Sequence, residues 1–409
     1  MNGTVSRAPS QRRIFAFPFH DWTKAQLQGF RTRDAHLLQA FARRSDVARI
    51  LVVNRPTSRA ERLLRRTPER PTGELVAEWR QGPGRVTITQ VDEHIQTLDV
   101  AYKDVIAPLQ HRHGWWFDVF KRPEIAVAVE RAARDHLGGP TDVLAWVPTV
   151  APVLFLIGGR VVFDSLDNWL IHPELRLHAT DAEMAYQAIL QRADEVFASG
   201  PASARVLARW RADITVLPNG VDREVFAGDW RRPADLPTGP LVGYAGKLAE
   251  RIDDDLVAEV AAALPDVSFA FVGPVSSRRA VRNMRRQANV HLLGDRPYSR
   301  LPGYLQAFDI AWIPHRVGQG ETGGDPIKLY EYWAAGKQVV STRIDGSDQW
   351  VAQVRMVDDA ADAISAIHGI LTRTLPPLPT AVPPGRTWDE IADVVLGGSP
   401  AADSTNVIA

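Results

Sequence analysis

The apolar positions of this chain fall in short unbroken runs rather than in strict alternation. Residues 13–19 (RIFAFPF), 49–53 (RILVV), 142–147 (DVLAWV), 160–165 (RVVFDS), 195–199 (EVFAS) and 214–217 (ITVL) each read as a strand. Runs of this kind suit parallel strands covered on both faces of a sheet. Helical patterns lie between them, the first extending to about Arg44, and residues 54–141 form a less regular middle. Residues 223–239 (REVFAGDWRRPADLPTG) are turn-rich and charged, as in a linker. The strand pattern then restarts at 241–246 (LVGYAG), 267–273 (VSFAFVG), 289–294 (NVHLLG), 309–314 (DIAWIP) and 337–342 (KQVVST). We therefore expect two doubly wound α/β domains, residues 13–222 and 240–385, facing each other across a cleft. Such sheets bind ligands at the carboxyl ends of their strands. A last short helix is expected within 386–398, with residues 1–12 and 399–409 as a disordered leader and tail.

Composition narrows the class. The 409 residues are 45% hydrophobic and 23% charged, enough apolar material for two cores. The chain has no cysteine, which removes disulfides and thiolate metal sites. The leader lacks an apolar run and no window approaches the ~18 apolar residues of a membrane span, so a cytoplasmic protein is expected. Net charge is zero, which argues against a dedicated nucleic-acid binder. The charge is uneven, however, because residues 1–110 carry 18 Lys and Arg against 11 Asp and Glu. Much of the surplus lies in 54–71 (NRPTSRAERLLRRTPERP), either a solvated loop or a surface for anionic lipid headgroups or a polyanionic acceptor, with Leu63 and Leu64 dipping into the interface.

The richest chemistry lies in 320–342 (GETGGDPIKLYEYWAAGKQVVST). Asp325-Pro326 is a helix start, with Asp able to cap and Pro favoured at the first helical position. Lys328 then falls in the first turn, where the helix dipole disfavours a cation unless an anion sits at the helix end. Gly318, Gly320, Gly323 and Gly324 would let the preceding loop approach that anion. Glu331 follows one turn deeper, where it could accept hydrogen bonds from both ribose hydroxyls. A nucleotide diphosphate fits this pattern. A Lys–Glu surface pair behind a flexible loop fits it too.

The run DPIKLYEYWAAGKQVVST resembles the donor-binding segment of retaining GT-B glycosyltransferases, specifically family four (group 1). VLPNGVDREVF (216–226) and LVGYAGKLAERIDDDLV (241–257) resemble further segments of that group. The likeness spans about residues 160–345. It implies a GT-B fold of two Rossmann-like domains and transfer of a sugar from a nucleotide diphosphate sugar, with no cofactor or essential metal. It also implies that Glu331 binds the donor ribose and that Lys247, beside Gly246, and Arg251 contact the diphosphate together with Lys328. The group's Glu-x7-Glu pair is incomplete here, because Gly323 stands eight before Glu331. The backbone of Thr322, Gly323, Gly324 and Asp325 and the Thr322 hydroxyl are the candidates for holding the donor sugar, and Pro326 and Ile327 at the helix mouth are further donor-binding candidates.

Candidates on the acceptor side come from two strand ends. VVFDSLDNW (161–169) sets Asp164, Asp167 and Asn168 past a strand. Asp164 reads as structural, and Asp167 as either a cap or a catalytic-site group. FPFHDWTKAQ (17–26) offers His20, Asp21 and Trp22, with Trp22 stacking on a sugar and Asp21 alternatively capping the helix. HRHGWW (111–116) reads as a loop with core aromatics, and Asp253–Asp255 as a helix cap rather than a metal motif. The acceptor, whether glycan, lipid-linked or small, is not named by these residues, and peripheral contact with the inner face of the membrane is an open expectation. The competing functions are a nucleotide-sugar 2-epimerase on the same fold and a non-catalytic nucleotide-sugar-binding protein.

Overall fold

The computed structural model describes residues 11–58, 61–63, 68, 70–102, 114–171, 173–318, 325–344 and 347–398. The first sheet collects β1 (Arg12–Phe17), β2 (Val47–Val53), β3 (Thr57–Ser58), β4 (Glu74–Gln81), β5 (Gly84–Gln90), β6 (Ile95–Tyr102), β7 (Asp142–Ala145), β8 (Arg160–Ser165), β9 (Glu195–Ala198) and β10 (Thr215–Val216). Across the sheet they run β10-β9-β8-β7-β1-β2-β6-β5-β4, with β3 also on β6. The strands from β10 to β6 are parallel. The second sheet runs β13-β12-β11-β14-β15-β16 and is parallel throughout. Its strands are β11 (Leu241–Ala245), β12 (Ser268–Val272), β13 (Val290–Gly294), β14 (Ile310–Ile313), β15 (Gln338–Thr342) and β16 (Val354–Val357). In each sheet the chain reverses direction beside its first strand, at β1/β7 and at β11/β14. Crevices form at such switch points.

Each sheet buries apolar side chains on both faces. This is why the strand sequences show runs instead of alternation. The irregular middle resolves into an antiparallel addition: β5 pairs with β4 across the turn Gln81-Gly82-Pro83-Gly84 and with β6 along its other edge. This hairpin extends the parallel sheet at its edge.

The connection between the domains is not a free tether, since Phe226 and Leu236 are buried in the core of the second domain. The last helix, Trp388–Val395, starts with a capping box between Thr387 and Glu390. It does not rest on the second domain. Trp388, Ile391, Val395 and Leu396 join Ile14, Leu37 and Phe41 in the core of the first. The chain thus ends where it began, and the two domains are joined twice, at 217–221 and at 385–387. Val221 donates to the Arg386 carbonyl where the two crossings meet.

β11 passes very close to a neighbouring ring. A Cβ on Gly243 would lie 2.2 Å from the Phe308 ring. Overpacking of this kind costs about 1–3 kcal/mol, so Gly243→Ala should lower the urea midpoint and melting temperature. An unchanged midpoint would show that the Phe308 ring gives way freely.

Candidate functional site

A cleft of about 680 Å³ opens between the carboxyl ends of the two sheets. Phe19, His20, Leu166, Asp167 and Ser199 line it from the first domain. Gly246, Lys247, Arg251, Gly273, His315, Asp325, Pro326, Ile327, Lys328 and Glu331 line it from the second.

The donor-side helix spans Ile327–Ala334, with Pro326 in the cap position and no side-chain cap. Asp325 does not cap it, contrary to the sequence expectation. Its carboxylate is turned to the domain junction, where one oxygen accepts the Asn219 backbone N–H and the other accepts the Tyr330 hydroxyl at 2.7 Å. The Asn219 amide in turn donates to the Asp325 carbonyl at 2.6 Å. Burial raises the Asp325 carboxyl to about 6.

Lys328 and Glu331 both reach the cleft from this helix. The Lys328 amine donates to the Tyr244 hydroxyl at 2.7 Å and lies 4.2 Å from the centre of that ring. Burial pushes its pKa well down, and the nearby Arg251 adds to the effect. Gly246 (φ 146°) passes beneath, and a Cβ there would come within 2.9 Å of the Lys328 Nζ. Only glycine combines that backbone angle with that approach. Lys247 is exposed at the cleft surface. Glu331 is buried, and its Oε1 accepts the Tyr298 hydroxyl at 2.6 Å. Desolvation lifts the Glu331 carboxyl to about 7.

On the opposite wall, His20 is held by its backbone N–H, which donates to Asp34 at 3.0 Å. Its Nδ1 is buried without a hydrogen-bond partner, and burial lowers its pKa. The sequence expectation placed Asp21, Trp22 and Asn168 beside it, and the fold separates them. Trp22 is core, 5% exposed and packed against Phe30. Its backbone N–H donates to Asn54 at 2.7 Å. β1 ends at Phe17, two residues short of the expected run, and Trp22 opens the helix Trp22–Gln28 with its indole in the core. Asp21 accepts the Arg55 backbone N–H at 2.8 Å and makes no side-chain cap. Asn168 closes a local turn by accepting the Leu170 N–H at 3.1 Å. Asp167 does line the cleft. Asp164 is structural, buried between the Arg33 guanidinium and the Trp146 indole N–H, both at 2.8 Å.

Thr322, Gly323 and Gly324 lie outside the described residues. Asp253 caps its helix by accepting the Leu256 N–H, as expected. Among the described residues no group of three or more His, Cys, Asp or Glu could hold a metal ion. The sequence reading missed Tyr244, Tyr298 and His315. Their only signal was a polar ring at or just beyond a strand's carboxyl end, or in a loop.

Known proteins carry the same architecture. Residues 239–373 match the family model "Glycosyl transferases group 1". A protein of Bacillus subtilis (strain 168), named provisionally as the teichuronic acid biosynthesis glycosyltransferase TuaH, is 25% identical over 303 residues, 68% of this chain and 76% of that protein. Alr3699/HepE of Anabaena, solved with UDP and glucose, superposes with a TM-score of 0.59 at 15% identity, over 94% of this chain and 96% of that one. The catalytic domain of starch synthase IV from Arabidopsis thaliana gives 0.61 at 11% identity, over 95% and 96%. The chain is a glycosyltransferase of GT-B fold, similar over residues 239–373 to group 1 of the glycosyl transferases. No described helix of the transferase is long and apolar enough to cross a membrane.

The raised carboxyl of Glu331 makes a sign-definite prediction for the ligand-free transferase. A carboxyl whose folded pKa exceeds its unfolded value favours folding while it is protonated. That contribution is full below about 4.5 and is lost as pH rises through about 7. Glu331→Gln should therefore lose less stability than wild type between pH 5 and pH 8 in urea titrations. Equal losses would place the Glu331 carboxyl at its ordinary value.

Proposed function

We propose that the transferase moves a sugar from a nucleoside diphosphate sugar, with retention of anomeric configuration, to an acceptor held on the first domain. One observation carries this reading. Lys247, Arg251 and Lys328 line the same cleft as the mouth of the Ile327–Ala334 helix, with Glu331 a turn deeper. A diphosphate needs cations and backbone N–H groups at one point. A ribose needs a carboxylate several ångströms away. The cleft offers both on one helix.

In this reading the diphosphate lies against Gly246 and the helix mouth, and the ribose hydroxyls donate to Glu331. The bond from the anomeric carbon to the phosphate oxygen breaks while the acceptor oxygen approaches the same face. The departing phosphate oxygen takes the acceptor proton. Negative charge grows on the diphosphate as this happens, and Lys247, Arg251, Lys328 and the helix dipole stabilise it in the transition state more than in the bound donor. These cations fill the role of a divalent metal, so the reading needs none. His20 and Asp167 flank the acceptor. The sugar of the donor is left to the loop before Pro326.

The Anabaena protein was solved with UDP-glucose as well, which makes UDP and UDP-sugars the first ligands to try. UDP should raise the melting temperature, with EDTA present as without it. Glu331→Ala should weaken UDP binding by about 1.5–3 kcal/mol, the scale of a hydrogen bond to a charged group. Unchanged affinity in the folded variant would remove Glu331 from the ribose site.

Peripheral attachment at the inner face of the membrane is part of the same proposal, supported by the charge surplus alone. Arg59, Arg65 and Arg66 lie outside the described residues. Arg62 is committed within the fold, its Nε donating to Thr57 at 2.5 Å. The test is therefore Arg65→Gln with Arg66→Gln. Wild type should co-sediment with anionic phosphatidylserine vesicles at low salt and be released as salt shortens the Debye length from about 10 Å at 0.1 M to about 3 Å at 1 M. No binding at low salt would end the membrane reading.

A further inference from the structure

Lys328 arrives at the cleft in an unusual state. It is half-buried, and among the described residues its hydrogen-bond partner is a neutral phenol rather than a carboxylate. A long amine without a carboxylate clamp has several rotamers open to it, so something else has to hold it in place. The Tyr244 hydroxyl does so from one side. In its cationic form the Lys328 group can only donate to it, which leaves the hydroxyl's own proton to be given away. Two acceptors are in range, His315 Nε2 at 3.2 Å and the Lys247 carbonyl at 3.5 Å, and the imidazole is the nearer. Burial, with Lys328 and Arg251 beside it, keeps the His315 ring neutral and hence able to accept.

The histidine is fixed in its turn. Its backbone N–H donates to the Thr342 hydroxyl at 3.1 Å, and that hydroxyl donates to the His315 carbonyl at 2.7 Å. The line Thr342–His315–Tyr244–Lys328 therefore runs from the end of β15, past the end of β14 and along the carboxyl end of β11, into the mouth of the donor-side helix. Gly246 closes the other side, since a Cβ there would sit 3.1 Å from the Tyr244 hydroxyl and 2.9 Å from the amine.

We propose that Tyr244 and His315 are positioning residues for the transfer reaction, fixing the Lys328 amine through the Tyr244 hydroxyl at the point where the donor's diphosphate lands. This rests on the donor-site reading above. It deepens that reading by naming the groups that hold the amine ready without cancelling its attraction for an anion. A carboxylate partner would hold Lys328 equally well but would repel the diphosphate. A phenol hydrogen-bonded to a neutral imidazole holds it at no such cost. The groups facing the amine, besides Tyr244 and His315, are Arg251 and Glu331.

Two measurements test the proposal, one of them independent of any nucleotide. Competitive acetic-anhydride labelling of the free protein, read by mass spectrometry, compares Lys328 with the exposed Lys247. Tyr244→Phe keeps the ring and removes the hydroxyl, and should speed Lys328 labelling by about threefold or more, the scale of one lost hydrogen bond. UDP affinity should fall about three- to tenfold in Tyr244→Phe and in His315→Leu, with uridine affinity unchanged. On a Lys328→Met background Tyr244→Phe should cost nothing further, because the two substitutions remove the same interaction. His315→Gln, whose amide oxygen can take the place of Nε2, should restore most of the affinity. A purely structural role for Tyr244 would give additive losses and would lower uridine affinity as well. Unchanged Lys328 labelling, or additive losses, overturns the proposal. If labelling responds as expected but wild type binds no UDP, the positioning of Lys328 is upheld and the nucleotide reading of the site is what fails.

Discussion

The buried carboxylate of Asp325 ties this molecule together. It sits immediately before the donor-side helix, yet its hydrogen bonds go to the crossing between the domains, at Asn219, and back to Tyr330 on the helix itself. On the far side of that crossing, Arg33 reaches the Pro218 carbonyl at 2.9 Å while paired with Asp164. A short chain of buried polar groups thus connects the floor of the first sheet to the mouth of the second domain's helix. Removing any one member would leave its partners buried and unpaired, which costs more than the bond itself contributes.

Around that junction the domains share parts. The Trp388–Val395 helix belongs to the first domain by its packing although it follows the second in the chain. His36 stacks on Trp388 at 4.7 Å and lies edge-on to Tyr298 of the second domain. Complete burial holds the His36 imidazole down at about 3, so it is a neutral spacer in this three-way contact. Tyr298 then passes the contact on to Glu331. The carboxylate proposed to take the ribose is therefore supported by a ring that touches the other domain, and Arg31 pairs with Asp295 at 2.9 Å across the same gap.

The electrostatics of the cleft are lopsided by construction. Lys328, Glu331, Asp325 and His315 all have their charged forms penalised by burial. Two nearby carboxylates are turned away from the cations, Asp325 to the junction and Asp164 to Arg33, while Glu331 stays within reach of Lys328. Among the described residues Lys247, Arg251 and Lys328 form no ion pair with a carboxylate, and in a low-dielectric site such a deficit acts strongly on an incoming anion.

Much of this was legible in the residues alone. Unbroken apolar runs punctuated by helical patterns determine parallel sheets covered on both faces, because a strand buried on both sides cannot afford alternating polar groups. The restart after residue 239 determines two such units, and a lysine in the first turn of a helix behind a glycine-rich loop determines where an anion belongs. Those signals are local, carried by spacing within one element. The remainder was settled by tertiary structure. Trp22 and Asn168 looked like cleft residues because they follow strand ends, but packing turns the Trp22 indole into the core and a local turn takes up the Asn168 amide. Asp325 looked like a cap because capping is local, and a partner 106 positions away outcompeted it. The Tyr244–His315 line to Lys328 spans three strand ends, and no spacing in the sequence encodes it. Contacts of that kind depend on how the sheet orders its strands, and the hydrophobic pattern is indifferent to which buried strand lies beside which.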